Sequence, residues 1–271
     1  MNADWSRPVT RIAWRDGAMA RGEREIAQEV PVALTYNAST YAVMMATPAD
    51  LEDFAIGFSL TEGIIDAASD IEELQVIASD LGIEARVWLE PVRAERLAER
   101  RRLIAGPTGC GLCGVESLEA AHRPGPPVGA ADARLSPSQV LAAMAALSAA
   151  QPLNAATRAV HAAGFLTPHG ALAAVREDVG RHNALDKLVG ALARASVDGQ
   201  GGAVVLTSRV SVEMVQKSAV LGAAFVVAVS APTALAIAAA ETAGMTLIGV
   251  TRADGFEVFT RPERILLDAA R

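Results

Sequence analysis

The sequence predicts an α/β protein in two parts. A smaller α+β domain should occupy residues 1–103, and a three-layer α/β/α domain with a mixed sheet should occupy 136–271. Three observations predict it. The chain has 271 residues, and at roughly 150 residues per domain that length suits one large or two modest domains. The second half alternates short, almost wholly apolar runs with helical stripes, the pattern of parallel strands covered on both faces. Between the halves, residues 104–135 are broken by glycine and proline, which reads as a mobile loop and linker.

Taken in order, the polar residues 1–25 predict an irregular start. Residues 29–36 and 40–46 read as strands joined by Asn37-Ala38-Ser39. Thr47-Pro48-Ala49-Asp50 supplies a capping threonine, a first-turn proline and an acid three residues on, which opens a helix that Gly63 stops. A second hairpin, 71–78 with 83–90, turns at Asp80-Leu81-Gly82. The charged helix after it ends in Arg100-Arg101-Arg102, where the helix dipole favours cations. Ser136-Pro137-Ser138-Gln139 is a capping box before the stripe Val140, Leu141, Met144 and Leu147. Strands 160–166 and 171–175 flank the turn Thr167-Pro168-His169-Gly170. A helix over 180–195 buries Leu185, Leu188, Val189 and Leu192. Strand 203–207, helix 211–221, strand 224–229, helix 233–243 and strand 245–250 complete a βαβαβ unit.

Composition excludes several classes. Hydrophobic residues at 51% beside charged residues at 20% are an ordinary globular mixture. No apolar run reaches the ~18 residues of a membrane span, and 223–240 is interrupted by Ser230-Ala231-Pro232-Thr233. The first residues lack a basic-then-apolar signal, so a cytoplasmic location is the expectation. A net charge of −7 and 4% aromatics argue against nucleic acid, which needs a basic footprint or stacking platforms. The two cysteines, Cys110 and Cys113, exclude a disulfide scaffold and a complete four-cysteine zinc site. The only lysines are Lys187 and Lys217, against 22 arginines, and both are candidates for a role that needs a compact ammonium.

Chemistry concentrates at the carboxyl ends of the strands of the second half. Ser208-Arg209, Ser230 to Thr233, Thr251-Arg252-Ala253-Asp254-Gly255, and the charged stretch from Arg176 through His182 to Lys187 all follow apolar runs. Open α/β sheets bind ligands at this edge, where helix N-termini offer free amides to anions. Neither a dinucleotide glycine fingerprint nor a P-loop is present. Cys110 and Cys113 lie in Gly109-Cys110-Gly111-Leu112-Cys113-Gly114. Zinc would need two more ligands, and a thioredoxin-like motif should open a helix after a strand. Glycines beside both thiols suit a cysteine that visits two partners, because a thiolate can take sulfur and pass it on.

With these residues in view, the sequence resembles the formate dehydrogenase accessory sulfurtransferases, the FdhD family, over residues 28–265. The likeness rests on Glu29-Val30-Pro31-Val32, Ala46-Thr47-Pro48, Thr61-Glu62-Gly63-Ile64-Ile65, the cysteine motif, Arg176 through Lys187, Ser211 through Lys217, and Ser230-Ala231-Pro232-Thr233. The resemblance implies a cytidine deaminase-like second domain. It implies that Cys110, assisted by Cys113, carries a persulfide from an IscS-like cysteine desulfurase to bis-molybdopterin guanine dinucleotide, which then enters formate dehydrogenase. It places Val250, Thr251, Arg252, Ala253, Asp254 and Gly255 in the cofactor-binding segment; the strand-end residues Arg209 and His182 are further candidates to bind the cofactor, GDP is a partial analogue, and no resident metal and a homodimer are expected. Thr157-Arg158-Ala159-Val160-His161 stands where the family has Thr-Gly-Gly-x-His, and Val250 where an aromatic is common. Zinc deamination does not fit, since His161-Ala162-Ala163 lacks the glutamate that chemistry needs. The alternative is a passive cofactor-binding chaperone whose cysteines bind metal or have no role.

Overall fold

The computed structural model describes residues 5–104, 125–129 and 132–266. The chain forms three sheets. The first is a two-stranded ribbon, β1 (Ser6–Arg15) and β2 (Ala18–Ala27), where the sequence predicted an irregular start. Its strands alternate charged with small or apolar residues without a buried face, so no core-seeking stripe announces them.

The second sheet holds β3 (Val30–Tyr36), β4 (Ser39–Ala46), β5 (Ile71–Ser79) and β6 (Gly82–Leu89) in the order β4-β3-β6-β5. β3 and β4 close through Asn37 and Ala38, both at positive φ, the two-residue geometry whose twist suits a hairpin. Helix α1 (Leu51–Thr61) covers one face and buries Phe54, Ala55 and Phe58 against Val32, Leu34, Ala85 and Val87. Helix α2 (Pro91–Ile104) follows β6 and adds Leu97 to this core.

The third sheet is mixed and six-stranded, in the order β12-β11-β10-β9-β7-β8. Its strands are β7 (His161–Leu166), β8 (Leu172–Asp178), β9 (Ala203–Leu206), β10 (Phe225–Ala228), β11 (Thr246–Arg252) and β12 (Gly255–Val258). The three central strands, β9, β10 and β11, are parallel, as their apolar runs predict. Helices α5 (Arg181–Arg194), α6 (Val212–Val220) and α7 (Ala234–Ala243) cover one face, taking Val204, Leu206, Val226 and Leu247 into their core. Helix α3 (Pro137–Ala149) covers the other, against Val205, Phe225, Val227 and Ile248. Its capping box forms as expected: Gln139 N–H donates to the Ser136 hydroxyl, and Ser136 N–H donates to Gln139 Oε1. The short α4 (Pro152–Thr157) and strand β12 are additions that the sequence did not predict. Within the segment read as a linker, Val128 is buried against the α5–α6–α7 face and donates its N–H to Ala243 O. Among the described residues no helix is long and apolar enough to cross a membrane.

Helix α5 joins the two larger sheets. Ten consecutive residues, Asn183 to Leu192, are buried, because one side meets the six-stranded sheet and the other meets α1. The crossing is close enough to require glycine. A Cβ on Gly57 would lie 1.7 Å from Asp186 O, and one on Gly190 would lie 1.9 Å from Asp53 O.

Candidate functional site

The charged stretch after β8 divides between two roles. Most of its charges are structural and point to the N-terminal sheet. Asp178 and Lys187, both fully buried, meet at 2.6 Å. Asp178 also accepts from Thr47 N–H, Gly180 N–H and the Asn183 amide, while Lys187 donates to Thr47 O. Thr47 was expected to cap α1. Instead its hydroxyl accepts from Val179 N–H, and Asp50, in a left-handed conformation, stands at the helix start without a side-chain cap. Arg176 pairs with Asp53 at 2.7 Å, and Arg194 pairs with the other oxygen of Asp53. Lys217 meets both oxygens of Asp186 at 2.8 and 2.9 Å and adds Thr61 and Glu62. Burial alone would push the Lys217 ammonium down, but Asp186 and Glu62 outweigh it and hold it above its ordinary pKa. Burial opposes this by pushing the Asp186 carboxyl up. With two ammonium contacts and the Thr61 hydroxyl on that carboxylate, the ionised pair is the form this geometry favours. Both lysines are thus used inside the fold.

The remaining groups of the stretch face the carboxyl edge of the six-stranded sheet. β8 runs in the same sense as β9, so the ends of β8, β9, β10 and β11 all fall at this edge, and antiparallel β7 begins there. That brings His161, the first residue of β7, beside Arg181 and His182 at the start of α5. His182 Nε2 lies 2.8 Å from Glu213 Oε2, which extends from the first turn of α6. His182 at this distance holds the Glu213 carboxyl below the usual range. Burial, reinforced by Arg181, pushes His161 below the ordinary histidine value. Arg209 is exposed in the turn after β9 and forms no ion pair among the described residues.

The segment Val250–Gly255 is a bulged hairpin, with Ala253 and Asp254 as its exposed turn between β11 and β12. Val250 has φ 53, a left-handed conformation that costs a β-branched residue of order 1–3 kcal/mol. The bulge buries Thr251, whose hydroxyl has no hydrogen-bond partner among the described residues. The Arg252 guanidinium donates to Val229 O and Thr251 O, which ties it to the end of β10. From β11 to β7 is three strand spacings of about 4.8 Å, roughly 14 Å along the edge. The sequence-predicted residues Arg209, His182, Val250, Thr251, Arg252, Ala253, Asp254 and Gly255 therefore share one edge. Cys110 and Cys113 lie outside the described residues. His161, Arg181 and Glu213 were not singled out as ligand groups. Glu213 had one signal, an acid in the first turn of a helix that follows a strand. For His161 the strand order was needed.

The arrangement is a basic strip on an acidic protein, built from four strand ends, and the whole chain can be set beside known proteins. The FdhD/NarQ family model matches residues 27–266. The chain belongs to the FdhD/NarQ family. A sulfur carrier protein FdhD of Agrobacterium fabrum is 54% identical over 261 residues, covering 96% of each chain. That of Cupriavidus necator is 49% identical over 257 residues, covering 95% of this chain and 89% of its own. A solved structure from Desulfotalea psychrophila, described as a formate dehydrogenase accessory protein, superposes with a TM-score of 0.74 at 27% identity. It covers 97% of this chain and 100% of that one. The FdhD/NarQ match begins at residue 27, so β1 and all but the last residue of β2 precede it.

Proposed function

We propose that this FdhD/NarQ member is a sulfur carrier that serves formate dehydrogenase, with bis-molybdopterin guanine dinucleotide as the sulfur acceptor. The observation that carries the reading is the basic edge. Arg181, His182 and Arg209 collect at one sheet edge of a chain with net charge −7, and His161 stands beside Arg181 there. Local attraction must therefore hold an anionic ligand, since the overall charge repels it at long range. A strip of roughly 14 Å suits an extended dinucleotide rather than a single phosphate. Helix N-termini at Arg181 and Ala234 add free amides for the phosphates. We read the six-stranded unit as the cytidine deaminase-like domain of the family; helices on both of its faces support that reading.

In this reading Cys110 is the carrier and an IscS-like cysteine desulfurase is the donor. The Cys110 thiolate attacks the terminal sulfur of the donor's persulfide. The donor's S–S bond breaks and its thiolate leaves, so oxidation states are conserved. Release of that sulfur as sulfide needs two electrons. Cys113 supplies them by attacking the Cys110 sulfur, which closes a disulfide as sulfide departs, and a dithiol reductant reopens it.

Two measurements test the reading. Incubation with a desulfurase and cysteine should add the mass of one sulfur to the peptide bearing Cys110, and Cys110→Ser should lose both the adduct and formate dehydrogenase maturation. Maturation at the wild-type level by Cys110→Ser would return the protein to the passive chaperone alternative. Calorimetry with GDP places the ligand. Arg209→Ala should remove a charge-assisted contact of roughly 1.5–3 kcal/mol, about 10- to 150-fold in affinity. Arg86→Ala should be silent, because Arg86 is engaged with Glu84 in the N-terminal sheet. Equal losses from both variants would remove the ligand from this edge.

A further inference from the structure

The β1–β2 ribbon pairs ten residues with ten, yet no residue of either strand is buried. An isolated two-stranded ribbon is marginally stable in water and gains from a third strand or a packing partner. Its base is tied down, where Gln28 N–H donates to Trp5 O and Arg24 donates to Thr157 O. Side chains alternate between the two faces of the ribbon. One face carries Arg7, Arg11 and Arg15 of β1 with Arg24 of β2, and no acid. Arg7, Arg11 and Arg15 form no ion pair among the described residues, whereas Arg93, Arg176 and Arg194 each hold carboxylates. Arg11 and Arg15 flank a shallow hollow floored by Ala13, Ala18 and Ala20. The other face carries Ile12 and Trp14, 58% and 69% exposed.

The free edge of β1 gives these two faces a common register. The turn residues Asp16 and Gly17 both have positive φ, so Arg15 and Ala18 exchange the ladder bonds that close the hairpin. Arg11 and Ala13 share the parity of Arg15 and turn their backbone groups toward β2. Thr10, Ile12 and Trp14 turn theirs outward, where this two-stranded sheet has no further strand. Pro8 shares the outward parity but has no N–H to offer, so the edge is open to a new strand as far as Thr10.

We propose that the β1 edge, from Thr10 to Arg15, accepts an extended segment of another protein in which acidic and apolar residues alternate. The segment adds antiparallel to β1 as a third strand, with main-chain bonds for affinity and alternate side chains for specificity. Its acids fall on the arginine face. An acid opposite Ala13 is diagonal to both Arg11 and Arg15, within reach of their long side chains. Its apolar residues fall on the other face, beside Ile12 and Trp14. A strand at an edge presents side chains to both faces at once, so one partner engages both surfaces. Charge selects the occupant, because β1 of a second copy in this place would bring two arginine rows together. The proposal is independent of sulfur transfer.

Fluorescence anisotropy with the full chain tests it, with circular dichroism as a check that each variant is folded. The probe is a labelled peptide that alternates glutamate with valine. Its isomer with glutamates and valines in pairs has the same charge and the wrong period. The wild type should bind the alternating peptide roughly tenfold or more tightly than the isomer. N-methylation of the valines, whose N–H groups face β1, should abolish binding. Arg11→Glu with Arg15→Glu should lose roughly tenfold or more in affinity, and should instead bind the peptide with lysine in place of glutamate. Equal binding of the two isomers, unchanged binding after the arginine reversals, or no binding by the wild type at millimolar peptide would overturn the proposal. So would binding of phosphatidylserine vesicles in place of the peptide, or a dimer in sedimentation that the same two reversals dissolve, since either gives the edge another occupant.

Discussion

At neutral pH His161 is uncharged, because burial and the neighbouring Arg181 hold its pKa below the ordinary 6.5. A histidine whose folded pKa is depressed contributes its stability fully above the unfolded value and loses it as pH falls through the folded one. Binding at this edge should run the opposite way. As pH falls through the depressed value, His161 gains a charge beside Arg181 and His182, and GDP should bind more tightly. His161→Gln should lose that part of the rise. An NMR titration of the His161 ring together with calorimetry across that range checks both; an affinity equally pH-dependent in His161→Gln would assign the effect to other groups. Arg158 is a second residue whose backbone explains a sequence feature. It ends α4 at φ 59, the left-handed region, at the position where the family's glycine would stand. This chain forms the same kind of turn with a side chain attached.

Between elements, the α1–α5 crossing sets how the N-terminal sheet meets the rest. Gly57 and Gly190 each face a backbone carbonyl of the opposite helix, so a methyl at either must push the helices apart. Gly57→Ala should cost about 3 kcal/mol, the upper part of the range for overpacking. Gly22→Ala is a suitable control, because nothing lies within 4 Å of its added Cβ. Urea midpoints compare the two; equal stabilities would mean that the helices yield without loss. The same contact explains why α5 reads as amphipathic over leucines yet is buried all round. Its polar residues Asn183, Asp186 and Lys187 are accommodated by partners from distant elements.

For the whole molecule, the two lysines connect the two larger cores. Lys187 reaches Thr47 O and Asp178, and Lys217 joins Asp186 to Thr61 and Glu62. Removing one partner of a fully buried pair leaves an uncompensated charge, so Lys187→Ala should cost roughly 3–5 kcal/mol. Lys187→Arg should also destabilise, since a planar guanidinium does not fit a fully buried ammonium position. Calorimetry should show one cooperative transition in the wild type, because these pairs and α5 bind the cores together. Two separate transitions in the wild type would show that the cores unfold independently.

The sequence by itself determined the elements whose signals are local. The apolar runs of β9, β10 and β11, the capping box of α3 and the turn at Asn37-Ala38 each depend on neighbours a few residues away. It also placed these candidate residues together at strand ends, because parallel strands joined by helices place their carboxyl ends on one side. Only the tertiary structure decided what depends on distant partners. Thr47 looked like a helix cap until Asp178 and Lys187, more than 130 residues away, claimed its backbone. His161 joined the edge because β7 runs antiparallel to β9, which no local pattern specifies. The ribbon escaped notice because period-two alternation predicts strands through burial, and none of its residues is buried in this chain alone.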